Sequence, residues 1–166
     1  MSSAIATSSE QSTPPSSRDR KAARPTKRVP GGEIAEPPRA RCDQPPPPEL
    51  LEGIEQFNKG EFFEQHETLE LLWRETHTPD RGLYHGILQI GVGFHHWRGG
   101  NFHGASVLLD EGIERLRPFV PSCRTVDVAR LIADATDARE RLAELGEAGM
   151  HAVDVAALAR QIRFTR

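Results

Sequence analysis

The chain has 166 residues, of which 37% are hydrophobic and 27% charged, and its formal net charge is −3. This length allows one domain at most. The sequence has no run of about eighteen apolar residues and no apolar signal-peptide core, so we expect neither a membrane span nor secretion. Its two cysteines, Cys42 and Cys123, match no disulfide or zinc spacing. They therefore favour free thiols in a reducing compartment, and thus a cytoplasmic protein.

The first 48 residues differ in composition from the rest of the chain. They contain ten of the thirteen prolines and few large apolar side chains, so burial cannot offset the entropy lost on ordering. This segment has eight basic and five acidic residues, whereas the remainder carries a net charge of −6. We predict a disordered, Pro/Ser-rich basic tail over 1–48 and a folded domain over 49–166 that does not bind nucleic acid. The tail is compatible with a solvated linker, with a contact for nucleic acid or an acidic partner, and, from its Ser/Thr/Arg-rich start, with an organelle transit peptide.

Apolar residues recur at helical spacing through the first half of the folded domain. They predict a first helix over 49–58 and a second over 61–77. A third is predicted over 78–98, because Thr78 and Pro79 are residue types suited to a cap and a first helical turn. This third helix is apolar nearly all round, which is typical of a helix at the centre of a bundle.

Asn101 and Asp127 are predicted to cap a fourth and a fifth helix. Pro118 stops the fourth, and the fifth ends near Gly146. A weaker sixth segment covers 154–163, and we identify no convincing strand. Short connections favour antiparallel neighbours, so the predicted fold class is all-α, a compact up-down helical bundle of about five helices.

Three ionisable residues interrupt the apolar face of the second helix. His66 and Glu70 are one turn apart and share an arc with Phe62 and Trp73, while Glu67 lies at the margin of that arc. A buried carboxylate is costly unless it is paired. We therefore predict that His66 and Glu70 lie within hydrogen-bonding distance, directly or through a water, and are shielded from solvent by aromatic rings.

The third helix carries a polar stripe beside a glycine stripe. His85, Gln89 and His96 project in one direction, next to Gly86 and Gly93. Glycine in a helix interior costs about 1 kcal/mol, so the glycines predict close approach by a ligand, a neighbouring helix or a second copy of the chain. We also expect Gln89 or His96 to lie near the paired histidine and glutamate of the second helix.

Several short motifs follow one another from the first helix to the fourth. They are Phe57-Asn58-x-Gly60, His66-Glu67-x-x-Glu70-x-x-Trp73, Tyr84-x-Gly86-x-x-Gln89, His96, Gly100-Asn101 and Gly104-Ala105. Together they resemble the domain of unknown function 309 (DUF309) family of small all-helical proteins, over roughly residues 50–145. His85 stands where that family usually has glutamine. The resemblance implies an all-helical fold and assigns no activity.

The polar residues between the helices are compatible with three kinds of function. A buried His/Glu/Gln cluster serves mainly as a structural network or as a small-ligand site. The ligand-binding candidates are His66, Glu70, Trp73, Tyr84, Gln89, His96 and Asn101. One alternative is a metal-dependent or His/Glu acid–base hydrolase. The other is a homo-oligomeric interaction module.

The enzymatic alternative depends on few residues. Its catalytic candidates are His66, Glu67 and Glu70, and a divalent metal has His66, Glu70 and His96 as candidate ligands. The second helix lacks the second histidine of the zinc-protease signature HExxH, and no serine or cysteine nucleophile motif occurs. No cofactor is firmly predicted, a homodimer is the candidate assembly, and the choice between enzyme and binding protein stays open.

Overall fold

Five helices of eleven residues or more follow one another through residues 40–166, which the computed structural model describes. Successive helices pack against each other, so the predicted all-α bundle is confirmed. The five are α1 (Pro48–Asn58), α2 (Phe62–Glu75), α3 (Arg81–Arg98), α4 (Phe102–Leu116) and α5 (Val128–Gly149). A one-turn helix α6 (Val155–Leu158) and short 3-10 turns at Arg117–Phe119 and Met150–Ala152 complete the helical part.

Side-chain caps fix the starts of α4 and α5 where the sequence predicts them. The Asn101 side chain accepts a hydrogen bond from the Gly104 amide at 2.8 Å, and the Asp127 carboxylate accepts one from the Arg130 amide at 3.0 Å. Both satisfy amides that the first helical turn leaves unpaired. The predicted break near Gly146 is also present, because this residue adopts φ +65° inside α5.

Helix α3 lies between α2 and α4 and contributes most to the core. Its buried side chains include Leu83, Ile87, Ile90, Phe94 and Trp97. Their distribution around the whole circumference follows from the nearly continuous apolar sequence of this helix.

The glycine stripe of α3 packs against α4 of the same chain. A Cβ placed at Gly93 would lie 2.9 Å from Cγ of Leu109, and one placed at Gly86 would lie 2.7 Å from Cγ of Leu116. Gly112 of α4 approaches as closely, since its Cβ would lie 3.0 Å from the carbonyl oxygen of Gly86. Of the three partners that the sequence leaves open for Gly86 and Gly93, the structure shows the neighbouring helix, because α4 covers both residues.

A short hairpin between α4 and α5 was not predicted. Strands β1 (Ser122–Cys123) and β2 (Val126–Asp127) pair antiparallel around Arg124 and Thr125, which adopt φ +52° and +60°. Positive φ at both central residues is typical of the tight turns that close hairpins. Two-residue strands carry no alternating pattern, so the sequence gives no local signal for them.

The two cysteines, predicted to be free, form a disulfide. The segment that carries Cys42 packs on the core, and the carbonyl oxygen of Cys42 accepts a hydrogen bond from the Arg124 amide at 2.8 Å. The folded domain therefore begins no later than residue 40 and not at 49. The argument for a reducing compartment loses its premise, since it required free thiols.

The predicted disorder of the tail lies outside the described residues over its first 39 positions. Within residues 40–166, no helix has the length and apolar character that crossing a bilayer requires.

Candidate functional site

Gln65, and not His66, is the polar side chain that α2 buries. It has no exposed surface, and its amide nitrogen donates to the carbonyl oxygen of Ile87 at 3.1 Å. It occupies the space left by a glycine of α3, since a Cβ at Gly91 would lie 2.0 Å from the side-chain oxygen of Gln65. The signal missed in the sequence is its position between Phe62 and Leu69 on the apolar face of the helix.

His66 and Glu70 do not form the shielded pair that the sequence predicts. The His66 Nε2 and Glu70 Oε2 atoms are 3.8 Å apart, too far for a hydrogen bond, and the two side chains are 38% and 41% exposed. The predicted direct hydrogen bond between shielded side chains is wrong because the buried face of α2 is centred on Phe62, Gln65 and Leu69. A contact through a water stays a prediction. His66 follows Gln65 by about 100° around the helix axis, at the edge of that face. The catalytic candidate Glu67 is exposed.

Three histidines surround a small cavity between α2 and α3, which we call the histidine pocket. The cavity has a volume of about 210 Å³. Its lining residues are Phe62, Phe63, His66, Val92, His95 and His96. The structure thus brings together two of the predicted site residues, His66 and His96. It adds His95, which the helical projection places on the opposite flank of α3.

The imidazoles of the pocket differ in their surroundings. Partial desolvation lowers the pKa of His95 although its side chain is exposed, and the positive charge of Arg98 lowers the pKa further. His95 is therefore neutral at neutral pH. The Asn101 amide nitrogen lies 3.2 Å from Nδ1 of His96. Because an amide nitrogen donates, Nδ1 of His96 accepts, and neutral His96 carries its proton on Nε2.

The pocket does not assemble a metal-ligand set. Among the residues that the structure describes, no three histidine, cysteine, aspartate or glutamate side chains converge as ligands of one ion. His66, Glu70 and His96, the predicted ligands, are therefore not arranged as such a set. A divalent metal at these residues stays a prediction.

A second group of polar side chains lies between the C-terminal end of α2 and the N-terminal half of α3. Trp73 stacks on His85 with ring centroids 4.2 Å apart, and the Arg81 guanidinium lies 4.9 Å from the Trp73 ring centroid. Burial lowers the pKa of His85 to about 4, and the charges of Arg115 and Arg81 act in the same direction. Two cations therefore face an imidazole that stays neutral.

Gln89 joins α3 to α4 instead of contacting His66. Its amide nitrogen donates to a Glu111 carboxylate oxygen at 2.7 Å, and its amide oxygen accepts from Nε of Arg115 at 2.8 Å. The predicted buried His/Glu/Gln cluster is therefore wrong in composition, because glutamate and arginine from α4 satisfy the glutamine. Sequence reasoning missed Glu111 and Arg115, although their four-residue spacing places them on one face of α4.

Tyr84, a predicted ligand-binding residue, belongs to a buried network. Its hydroxyl donates to a carboxylate oxygen of Asp80 at 3.2 Å, and Arg124 donates to the same oxygen at 2.6 Å. Burial and the nearby Asp80 charge raise the pKa of Tyr84 to about 12. Tyr84 does not line the histidine pocket. Its hydrogen bond to Asp80 holds the start of α3.

Residues 50–108 match the family described as a domain of unknown function, DUF309. The match spans α1 to α3 and the first half of α4, and it includes every residue of the histidine pocket. It confirms the resemblance over that stretch and does not extend to the hairpin or α5. A search of curated proteins found no match.

Proposed function

Residues 50–108 match the DUF309 family, and we propose that this part of the chain binds a small, mainly apolar or aromatic molecule in the histidine pocket. The observation that carries the proposal is a cavity of about 210 Å³ lined by two phenylalanines, a valine and three histidines. Apolar walls with a few polar groups are typical of small-molecule sites.

The lining indicates what the ligand is like. Phe62 and Val92 offer apolar contact, and Phe63 at the rim is 53% exposed, so part of its ring is free to contact a ligand. Neutral imidazoles both donate and accept hydrogen bonds. A volume of about 210 Å³ equals roughly seven waters at their share of liquid volume. A single substituted ring fits this space, whereas a nucleotide does not.

Binding is favoured over hydrolysis. Within the described residues, the lining of this cavity includes no serine, cysteine or carboxylate side chain. His66 lacks a hydrogen-bonded carboxylate to orient it, since Glu70 is 3.8 Å away. In catalytic triads the histidine base is held by a third group that accepts a hydrogen bond from its ring.

A structural role suits Gln89 better than a role in ligand binding. This side chain is 5% exposed, and both of its polar atoms have partners on α4. Such a satisfied amide fixes the register of two helices. The structural and ligand-binding functions thus belong to different parts of the site.

Benzyl alcohol, an aromatic ring with one hydroxyl group, is a suitable probe for the pocket. Titration followed by amide NMR should shift the signals of Val92, His95 and His96, with a Kd of about 1 mM for a ligand of this size. The Val92→Phe substitution fills the cavity and should abolish these shifts. Val107→Phe makes the same change on the exposed face of α4, outside the pocket, and should leave binding unchanged.

Thermal unfolding of both variants establishes that they are folded. The proposal fails if wild-type protein shows no shifts at these three amides up to about 20 mM probe, twenty times the Kd expected from the size of the ligand. It also fails if folded Val92→Phe protein binds as the wild type does.

A further inference from the structure

Two arginines near the Trp73–His85 stack have no carboxylate partner among residues 40–166. Ion pairs in this part of the chain engage seven other arginines, namely Arg74, Arg117, Arg124, Arg130, Arg139, Arg141 and Arg160. Neither Arg81 nor Arg115 is among them, and both are exposed. Their charges are therefore available to a ligand.

Both guanidinium groups are nevertheless held in place by the fold. Nε of Arg81 donates to the carbonyl oxygen of Trp73 at 3.4 Å, and its Cζ lies over the indole ring. Nε of Arg115 donates to the Gln89 side chain at 2.8 Å. Each contact uses Nε, and within the described chain the terminal nitrogens of both groups have no partner. An anchored guanidinium loses less entropy when it binds a ligand.

The spacing of α3 places the two arginines on either side of His85. Arg81, His85 and Gln89 follow at four-residue intervals and therefore stack on one face of the helix. Arg81 stands at one end of this row, and Gln89, at the other end, holds Arg115. Trp73 packs on both Arg81 and His85. His85 thus lies between two cations.

We propose that Arg81, His85 and Arg115 form a binding site for an oxyanion, the carboxylate or phosphate group of a small molecule. Guanidinium groups suit these anions because their planar N–H donors match two oxygens at once. The imidazole supplies a further N–H donor. Three carboxylates of α4 lie beside Arg115, those of Asp110, Glu111 and Glu114. Each already accepts a hydrogen bond from another side chain: Asp110 from Arg139, Glu111 from Gln89 and Glu114 from Arg117.

Sodium phosphate and sodium acetate, titrated at constant ionic strength against sodium chloride, test this site. The NMR signals of the Trp73 indole and the His85 imidazole should shift with the oxyanions and not with chloride. Comparison of the two titrations identifies which oxyanion binds more tightly. Saturable shifts with either anion support the site, and shifts that chloride reproduces overturn it.

Substitutions separate a specific site from general charge attraction. Arg81→Gln and Arg115→Gln should each weaken oxyanion binding about tenfold. Arg115→Lys keeps the positive charge but loses the paired N–H donors of the guanidinium, and it should weaken binding about threefold. Arg117→Gln removes the same charge two residues away, where Nε already pairs with Glu114 at 2.8 Å, and should change affinity less than twofold. Equal losses in Arg115→Gln and Arg117→Gln would overturn the proposal.

The test of the oxyanion site and the test of the histidine pocket have independent outcomes. No residue lines both, so Arg115→Gln protein should bind benzyl alcohol as the wild type does. Thermal unfolding of Arg115→Gln protein establishes that it is folded, which removes misfolding as a cause of lost anion binding.

Discussion

Asp80 has the least exposed side chain of any ion pair in the described residues, at 1%, and Arg124 pairs with it at 2.6 Å. We expect Asp80→Asn to lower the free energy of unfolding by about 3 kcal/mol, because it leaves the Arg124 charge uncompensated in a dry site. Chemical denaturation measures this loss. Asp137→Asn breaks a 3.0 Å pair between side chains that are 60% and 51% exposed and should cost less than about 1 kcal/mol. Similar losses in both variants would contradict the assigned role.

The Asp80 carboxylate should also make the free energy of unfolding depend on pH. Burial alone would raise the pKa of Asp80, but the hydrogen bonds from Thr78 and Arg124 and the Arg124 charge outweigh it and lower the pKa. A carboxyl whose folded pKa lies below its unfolded value of 3.8 stabilises the protein above that value, and the contribution disappears as pH falls through the folded pKa. The stability difference between wild type and Asp80→Asn should therefore shrink below about pH 4. A constant difference down to pH 2 would refute this.

Individual side chains were the least predictable part of the site. His66 and Gln65 are adjacent in sequence, yet one lines a pocket at the edge of α2 and the other is fully buried against Gly91. A helical projection resolves such neighbours only when the direction of the core is known. The direction of the core depends on the position of α3, which cannot be predicted from the sequence of α2 alone.

The contact between helices α3 and α4 relies on their glycines. A Cβ at Gly112 would lie 3.0 Å from the Gly86 carbonyl oxygen and 3.1 Å from the Ile90 amide nitrogen. We expect Gly112→Ala to destabilise the protein by about 2 kcal/mol, because backbone atoms cannot move aside cheaply. Gly149→Ala is the control, since its Cβ would meet only ordinary contacts at 3.5 Å with Leu145. Its melting temperature should not fall. Equal melting temperatures for the two variants would contradict this packing account.

Helix positions followed well from the sequence, whereas their contacts did not. The apolar spacing and the caps at Asn101 and Asp127 placed α4 and α5 correctly, because these signals are local. The hairpin 122–127 carries no such signal and was missed. The glycine stripe correctly indicated close approach, but its partner is α4 of the same chain.

Long-range contacts tie both ends of the described chain to the helical bundle. Asn58 exchanges two hydrogen bonds with the backbone of Ile162, at 3.1 and 2.7 Å. Phe164 forms an isolated antiparallel β-bridge with Val126, which belongs to strand β2 of the hairpin. The hairpin also holds the segment before α1 through the disulfide of Cys42. Together these contacts attach the segment before α1 and the C-terminal residues to the rest of the domain.

The disulfide should be a major source of stability. Cys42→Ser should lower the free energy of unfolding by about 4 kcal/mol, because the bond joins residues 81 positions apart and restricts the unfolded chain. Denaturation of non-reduced protein measures this loss. Dithiothreitol should destabilise the wild type by a similar amount and leave Cys42→Ser unaffected. Equal stability of oxidised wild type and variant would show that the bond contributes nothing.

The helical class, the order of the helices and the caps of α4 and α5 could be predicted from sequence alone, because each depends on residues within one or two turns of one another. The predicted Thr78 cap of α3 is wrong, since that helix begins at Arg81 after Asp80. The DUF309 match has the same local origin, since its motifs lie within residues 50–108. The disulfide, the Asp80–Arg124 pair and the partners of Gln89 join residues between 22 and 81 positions apart. Such contacts exist only once the helices have packed, so the composition of the site emerged from the tertiary structure.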